Sequence, residues 1–211
     1  RTARSEKVPV VIETIVSFDA DDKIATFVIR PIAKEAPTEF LDYRTKTALT
    51  LPFDDEWYVF WGGRTLQQNY HAASEDQRFA YDIMIMKDGS SHTGEGKQND
   101  DYYCFGRPVL APGAGVVAVA IDGVDDNVPG EMNPRQPPGN YVVVDHENGE
   151  YSLLAHFKKG SLRVKQGERV AANAPLGLCG NSGNSSEPHL HYHLQNGPRF
   201  NEGQGLPAQF E

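Results

Sequence analysis

Three histidines occupy alternate positions, His189, His191 and His193, directly after the glycine- and serine-rich run 180–186. Side chains alternate faces along a β-strand, so all three imidazoles share one side. A row of imidazoles is costly to bury without partners, and imidazole is the commonest nitrogen ligand of zinc. A His-x-His pair carries little weight alone, but His71, Asp82 and His156 each lie in an apolar or β-like context upstream. A catalytic zinc keeps three protein ligands and an open fourth position, activates water and polarises a carbonyl. Amide hydrolysis also needs a proton acceptor for the water and a donor for the leaving amine. Histidine and aspartate ligands, with two histidines left over, meet both needs.

The elements that must hold these side chains are short strands. Residues 8–33 alternate in a β manner around Asp21-Asp22 and read as a hairpin. Residues 34–50 carry mixed charge, Pro37 and threonines, a connector with room for one short helix. Further strands are expected at 56–61, 78–86, 108–122, 140–146, 151–156, 169–178 and 188–195. The turn Glu147-Asn148-Gly149 closes a hairpin whose returning strand puts His156 on the face of Leu154 and Ser152. Two long polar loops, 87–103 and 123–139, are expected to wall a groove. The fold class is thus mainly β, an antiparallel sheet or sandwich with an open groove. Residues 1–50 form a β appendage and connector, and 51–211 the main domain.

Composition narrows the function. Among 211 residues, 39% are hydrophobic, with 20 Gly and 14 Pro, which suits a loop-rich β protein. The net charge of -9 argues against nucleic-acid or anionic-membrane partners, which need a basic footprint. No apolar run approaches the ~18 residues of a membrane span. The chain starts at Arg1, the expectation for a trimmed or mature form. Cys104 and Cys179 could pair in an oxidising compartment or remain separate buried thiols.

Residues 106–196 resemble the lysostaphin/LytM-type zinc endopeptidases, which cleave peptide cross-links of bacterial peptidoglycan. The resemblance rests on the run 106–112, Gly106-Arg107-Pro108-Val109-Leu110-Ala111-Pro112, then on 139–144, Leu154-Ala155-His156, 164–170, Gly180-Asn181-Ser182-Gly183 and His189-Leu190-His191. It implies zinc held by His71, Asp82 and His191, with His189 and His156 serving catalysis. It also implies stem peptides or cross-bridges as substrate, an exported location (periplasmic or at the cell wall) and a monomer. The two-residue spacing puts His189 on the face of His191 but ~7 Å away, within reach of a bound water. The family's oxyanion tyrosine has one candidate, Tyr70, which would point away from His71 in an extended segment.

One departure bears on the ligand set. The usual early motif has three residues between His and Asp, whereas ten separate His71 from Asp82. A literal spacing of three lands on Glu75, with Asp76 next. Asp82 is preferred because it sits in the apolar run 78–85, where an unpaired carboxylate is costly to bury. Glu75 and Asp76 read as solvated loop. Solvation is likewise expected for His92 and His146, and His193 is expected behind the ligands or at their rim.

Two other classes compete. The runs 111–117 and 164–170 also resemble lipoyl/biotinyl carriers, but the hairpin tip 147–149 lacks the lysine a carrier needs. A non-catalytic LytM-like wall-binding or activator protein would lack one or more of the five polar residues, and all five have candidate occupants here, which favours an active enzyme.

Overall fold

The computed structural model describes residues 12–19, 21, 23–31 and 33–211, and divides into two compact units, Arg1–Lys34 and Glu35–Glu211. In the first, β1 (Ile12–Phe18) pairs antiparallel with β2 (Ile24–Pro31). The opening residues 8–11 of the expected hairpin, and Asp22 of its turn, lie outside the described residues.

In the second unit, β-branched and aromatic runs broken by turn residues give ten strands among the described residues. They are β3 (Tyr58–Trp61), β4 (Tyr81–Met84), β5 (Pro108–Leu110), β6 (Gly115–Ile121), β7 (Asn140–Asp145), β8 (Tyr151–Phe157), β9 (Arg169–Val170), β10 (Pro175–Leu178), β11 (Leu190–Gln195) and β12 (Gly205–Leu206). Eight of them form one antiparallel sheet in the order β3-β4-β11-β8-β7-β6-β9, with β12 on β11. β5 and β10 form a separate antiparallel pair. The fold is mainly antiparallel β. The single strands expected at 108–122 and 169–178 are each two: Pro112-Gly113 interrupts the first, and Asn173, at φ +64°, turns the second.

The central strands are buried on both faces. Leu190, Tyr192 and Leu194 of β11 join Val142, Val144 and Leu154 in the main core, while Val143, Leu153 and Ala155 pack on the other side. Register pairs His191 with Ala155 and His193 with Leu153, so the histidine row shares that second face.

Residues 35–50, grouped with the appendage in the sequence reading, are built into the larger unit. Buried Glu150 accepts hydrogen bonds from the Lys46 and Thr47 amides (2.7 and 2.9 Å) and the Tyr43 and Thr47 hydroxyls (2.9 and 2.5 Å), and Leu49 is fully buried in the core. A carboxylate buried in one segment thereby fixes the path of another. No helix forms in 34–50 among its described residues.

The run 180–186 is clamped into shape. Gly183 has φ +83°, and a Cβ there would lie 2.4 Å from the Gly139 nitrogen, so only glycine fits. Asn127 donates to the carbonyls of Gly183 and Ser185, and Asn181 donates to the Asn99 side chain. Cys104 and Cys179 are buried free thiols.

Candidate metal centre

His71 is not on a strand. It sits in a 3₁₀ turn, Tyr70–Ala73, whose N-cap Asn69 accepts from the His71 amide. The Asn69 side chain then does a second job. Its Nδ2 donates to the carbonyls of Ala80 (2.9 Å) and Gly63 (3.3 Å), which fixes the amide so that Oδ1 faces His71 Nδ1 at 2.9 Å. A carboxamide oxygen only accepts, so the proton of neutral His71 is on Nδ1 and Nε2 is bare.

That bare nitrogen lies 3.6 Å from Asp82 Oδ1. Asp82 belongs to β4 and is directly opposite His191 of β11, whose Nδ1 lies 2.9 Å from the same oxygen. One ligand atom from each of His71, Asp82 and His191 lies within 4.8 Å of the other two, and all three residues are buried. Two imidazole nitrogens and a carboxylate oxygen make a donor set that suits zinc and leaves room for a fourth ligand. Glu75 is exposed. Asp76 is buried, against the solvated expectation, but its carboxylate is engaged by the Asn201 amide.

His189 immediately precedes β11, its Nε2 3.6 Å from Asp82 Oδ1 and its Nδ1 2.8 Å from the Glu187 carbonyl. His156 completes the group, its ring centre 4.7 Å from that of His189 and 5.8 Å from that of His191. Its position corrects the sequence expectation. Simple alternation puts His156 with Leu154 and Ser152, yet it lines the groove with Leu153 and Ala155. The reason is a bulge: Ala155 pairs with Tyr141 and Phe157 with Asn140, leaving His156 unpaired at φ +66°. A bulge of this kind re-aims a side chain. Its Nδ1 donates to the Ser182 carbonyl at 2.8 Å, so Nε2 faces the cluster.

Tyr70 is closer to the centre than an extended segment would allow. Because the turn is 3₁₀, its hydroxyl donates to Asp82 Oδ2 at 3.3 Å. Burial, aided by the Asp82 charge, pushes the phenol's pKa up, so it stays a donor.

The electrostatics follow from one carboxylate among several buried rings. Burial pulls His71 down to about 3 despite Asp82, and holds His156 well below its ordinary value with His189 and His191 adding to the effect. Burial also opposes ionisation of Asp82, but the surrounding histidines outweigh it and hold the carboxyl well below its usual range. For His189 the pull of Asp82 and the Glu187 carbonyl exceeds the burial cost and lifts it to about 9. A divalent cation on Asp82 would cancel that pull.

Two depressions flank the cluster and share Tyr70 and Asn184. One is lined by Pro137, Pro138, Leu153 and Phe200, the other by Phe60, Trp61, Met132 and Glu187. Loop 123–139 therefore walls the groove. Loop 87–103 braces it instead, through Ser91 to Glu187 and through Asn99.

His146 is buried, not solvated, with its ring nitrogens 2.8 Å from the Ala114 carbonyl and from Ser152 Oγ. His92 is half-buried beside Tyr102.

Residues 101–202 match the family described as Peptidase family M23. The chain is 36% identical over 91 residues to the peptidoglycan DD-endopeptidase ShyA of Vibrio cholerae, covering 43% of this chain and 18% of that protein. It is 32% identical over 110 residues to an uncharacterized metalloprotease of Buchnera aphidicola, covering 52% and 24%. The chain thus spans less than a quarter of the length of these curated relatives. The catalytic domain of the antimicrobial peptidase lysostaphin from Staphylococcus simulans superposes with a TM-score of 0.40 at 18% identity, covering 72% of this chain and 88% of that one.

Proposed function

Because residues 101–202 belong to the lysostaphin/LytM-type peptidases of family M23, we propose that this chain is a zinc endopeptidase cutting peptide cross-links of bacterial peptidoglycan. The observation that carries the reading is the convergence of His71 Nε2, Asp82 Oδ1 and His191 Nδ1 on one buried point beside two further imidazoles. Zinc would supply polarisation of the scissile carbonyl and activation of water. His71, Asp82 and His191 are the proposed ligands.

His189 and His156 each commit Nδ1 to a backbone carbonyl and turn Nε2 toward the cluster. From there they orient the attacking water, take its proton and return one to the departing amine. The protonated Tyr70 hydroxyl lies on the same side and can donate to the oxygen that gains charge. Walls that mix apolar side chains (Pro137, Pro138, Leu153 and Phe200 on one side, Phe60, Trp61 and Met132 on the other) with polar groups such as Asn184 and Glu187 suit an extended peptide. The substrate puts the protein in the periplasm or at the cell wall, acting as a monomer. A walled groove favours branched stem-peptide cross-links over slim glycine bridges.

Zinc analysis of the purified chain, combined with digestion of purified peptidoglycan, tests the reading. One zinc per chain and release of soluble fragments, greater from directly cross-linked than from glycine-bridged walls, is the expected result. Zinc uptake with no fragments from either wall would replace the enzyme by the wall-binding alternative. Preferential release from the glycine-bridged wall would overturn only the substrate preference.

A further inference from the structure

We propose that His193 and Gln195 form a positioning relay that dictates which ring nitrogen His191 offers to the cation; the proposal rests on the zinc peptidase reading above. The relay starts from main-chain carbonyls. Gln195 Nε2 donates to the carbonyls of Gly197 (2.7 Å) and Arg199 (2.8 Å). Carbonyl oxygens only accept, so the amide cannot be turned round, and its Oε1 must face His193 Nε2 at 2.8 Å. That oxygen also only accepts, so the His193 proton is on Nε2.

His193 is fully buried and has no carboxylate among its hydrogen-bond partners, so its ring is neutral and its Nδ1 carries a lone pair. This lone pair lies 2.9 Å from His191 Nε2, which must donate to it. The proton of a neutral His191 is thereby held on Nε2, and Nδ1 is left bare 2.9 Å from Asp82 Oδ1. Two acceptors at that distance repel unless positive charge lies between them. The chain from Gly197 to His191 therefore makes the empty contact unfavourable and the cation-filled one favourable.

The same device occurs a second time in a shorter form. Asn69, also locked by two carbonyls, presets His71 in one step and exposes the opposite nitrogen, Nε2. Two independent elements, the 3₁₀ turn and β11, thus each use a carboxamide locked by carbonyls to aim a bare nitrogen at Asp82. Partners that orient a metal-binding histidine typically change metal affinity by roughly 10- to 100-fold when removed.

The test uses the full chain, loaded with zinc alone, and reads the His191 ring by two-bond nitrogen–proton correlation spectra. A proton on Nε2 and none on Nδ1 is expected. A proton on Nδ1 in zinc-loaded protein would overturn the relay while leaving zinc binding intact, and a chain that takes up no zinc would overturn the metal reading and the relay together. Zinc affinity, measured by competition with a chelator, gives the second arm. His193→Leu should weaken it by roughly 10- to 100-fold, whereas His193→Gln, which can accept from His191 and donate to Gln195, should stay within several-fold. Equal weakening in both, or in neither, would show that His193 only fills space. Should His193→Leu fail to fold, the spectra of the unaltered chain still decide.

Discussion

Strand β8 has buried histidines near both of its faces, and they differ in one respect. On the core side, both ring nitrogens of His146 have protein partners, the Ala114 carbonyl and Ser152 Oγ, and the Ser152 hydroxyl goes on to Tyr192. On the groove side, His71, His156 and His189 each engage one nitrogen with the protein and leave the other facing a shared carboxylate or its neighbours. Burial is similar, so burial of a histidine is not the mark of a site. The mark is the nitrogen left over, repeated around one point.

Substitutions can break this contrast. The largest effect is expected for Asp82→Ala, His71→Ala and His191→Ala, which remove the converging atoms and should abolish zinc content and hydrolysis together, roughly 1000-fold or more in rate. Glu75→Ala and Asp76→Ala should leave zinc content unchanged. Full zinc occupancy in Asp82→Ala would move the ligand elsewhere.

Next come His189→Ala and His156→Ala. They should retain zinc but lose hydrolysis by roughly 100-fold or more, the scale of general acid–base groups. Loss of metal as complete as in His191→Ala would make either residue a ligand.

His146→Ala sharpens the comparison from the other side. It leaves the Ala114 carbonyl without its imidazole donor and the Ser152 hydroxyl with Tyr192 alone, so denaturant unfolding should show a loss of about 1–3 kcal/mol with zinc content unaltered. A drop in zinc would join the two faces into one network.

The smallest effect concerns pH. Burial works against ionisation of Glu150, but hydrogen bonds from Thr47, Lys46 and Tyr43 outweigh it and hold the carboxyl below its usual range. Its contribution to stability is therefore complete above the unfolded value of about 4.3 and fades as pH falls through the lower folded value. Glu150→Gln should cost about 2 kcal/mol at neutral pH, with the gap from the unaltered chain narrowing below about pH 4. A gap that holds constant from pH 7 to pH 3 would show that the charge is not what matters.

The parts of the molecule that obey a simple period were legible in the sequence. The alternation Leu190, Tyr192, Leu194 against His191, His193 matches the two faces of β11, and the apolar setting that favoured Asp82 over Glu75 and Asp76 belongs to the carboxylate that meets His71 and His191. What alternation cannot express was missed. The bulge at His156 reverses its face, the 3₁₀ turn brings Tyr70 round to Asp82, and the burial of His146 and Asp76 depends on partners distant in sequence. Strand β12, two residues long, is too short to show any period. The pairing of Asn69 with His71 had a local signal, an Asn two residues before a His, that N-cap chemistry could have flagged.

The left-handed backbone at His156 has a bearing on how such a protein can change over generations. A left-handed conformation costs a non-glycine residue about 1 kcal/mol or more, and asparagine is among the few side chains that tolerate it well. One base change converts a histidine codon to one for asparagine. Under the catalytic role proposed for His156, that single change would keep the backbone conformation, the sheet, the groove and the proposed cation ligands while removing the groove-facing imidazole. On that reading, the step from a chain that cuts to one that only binds is short at residue 156.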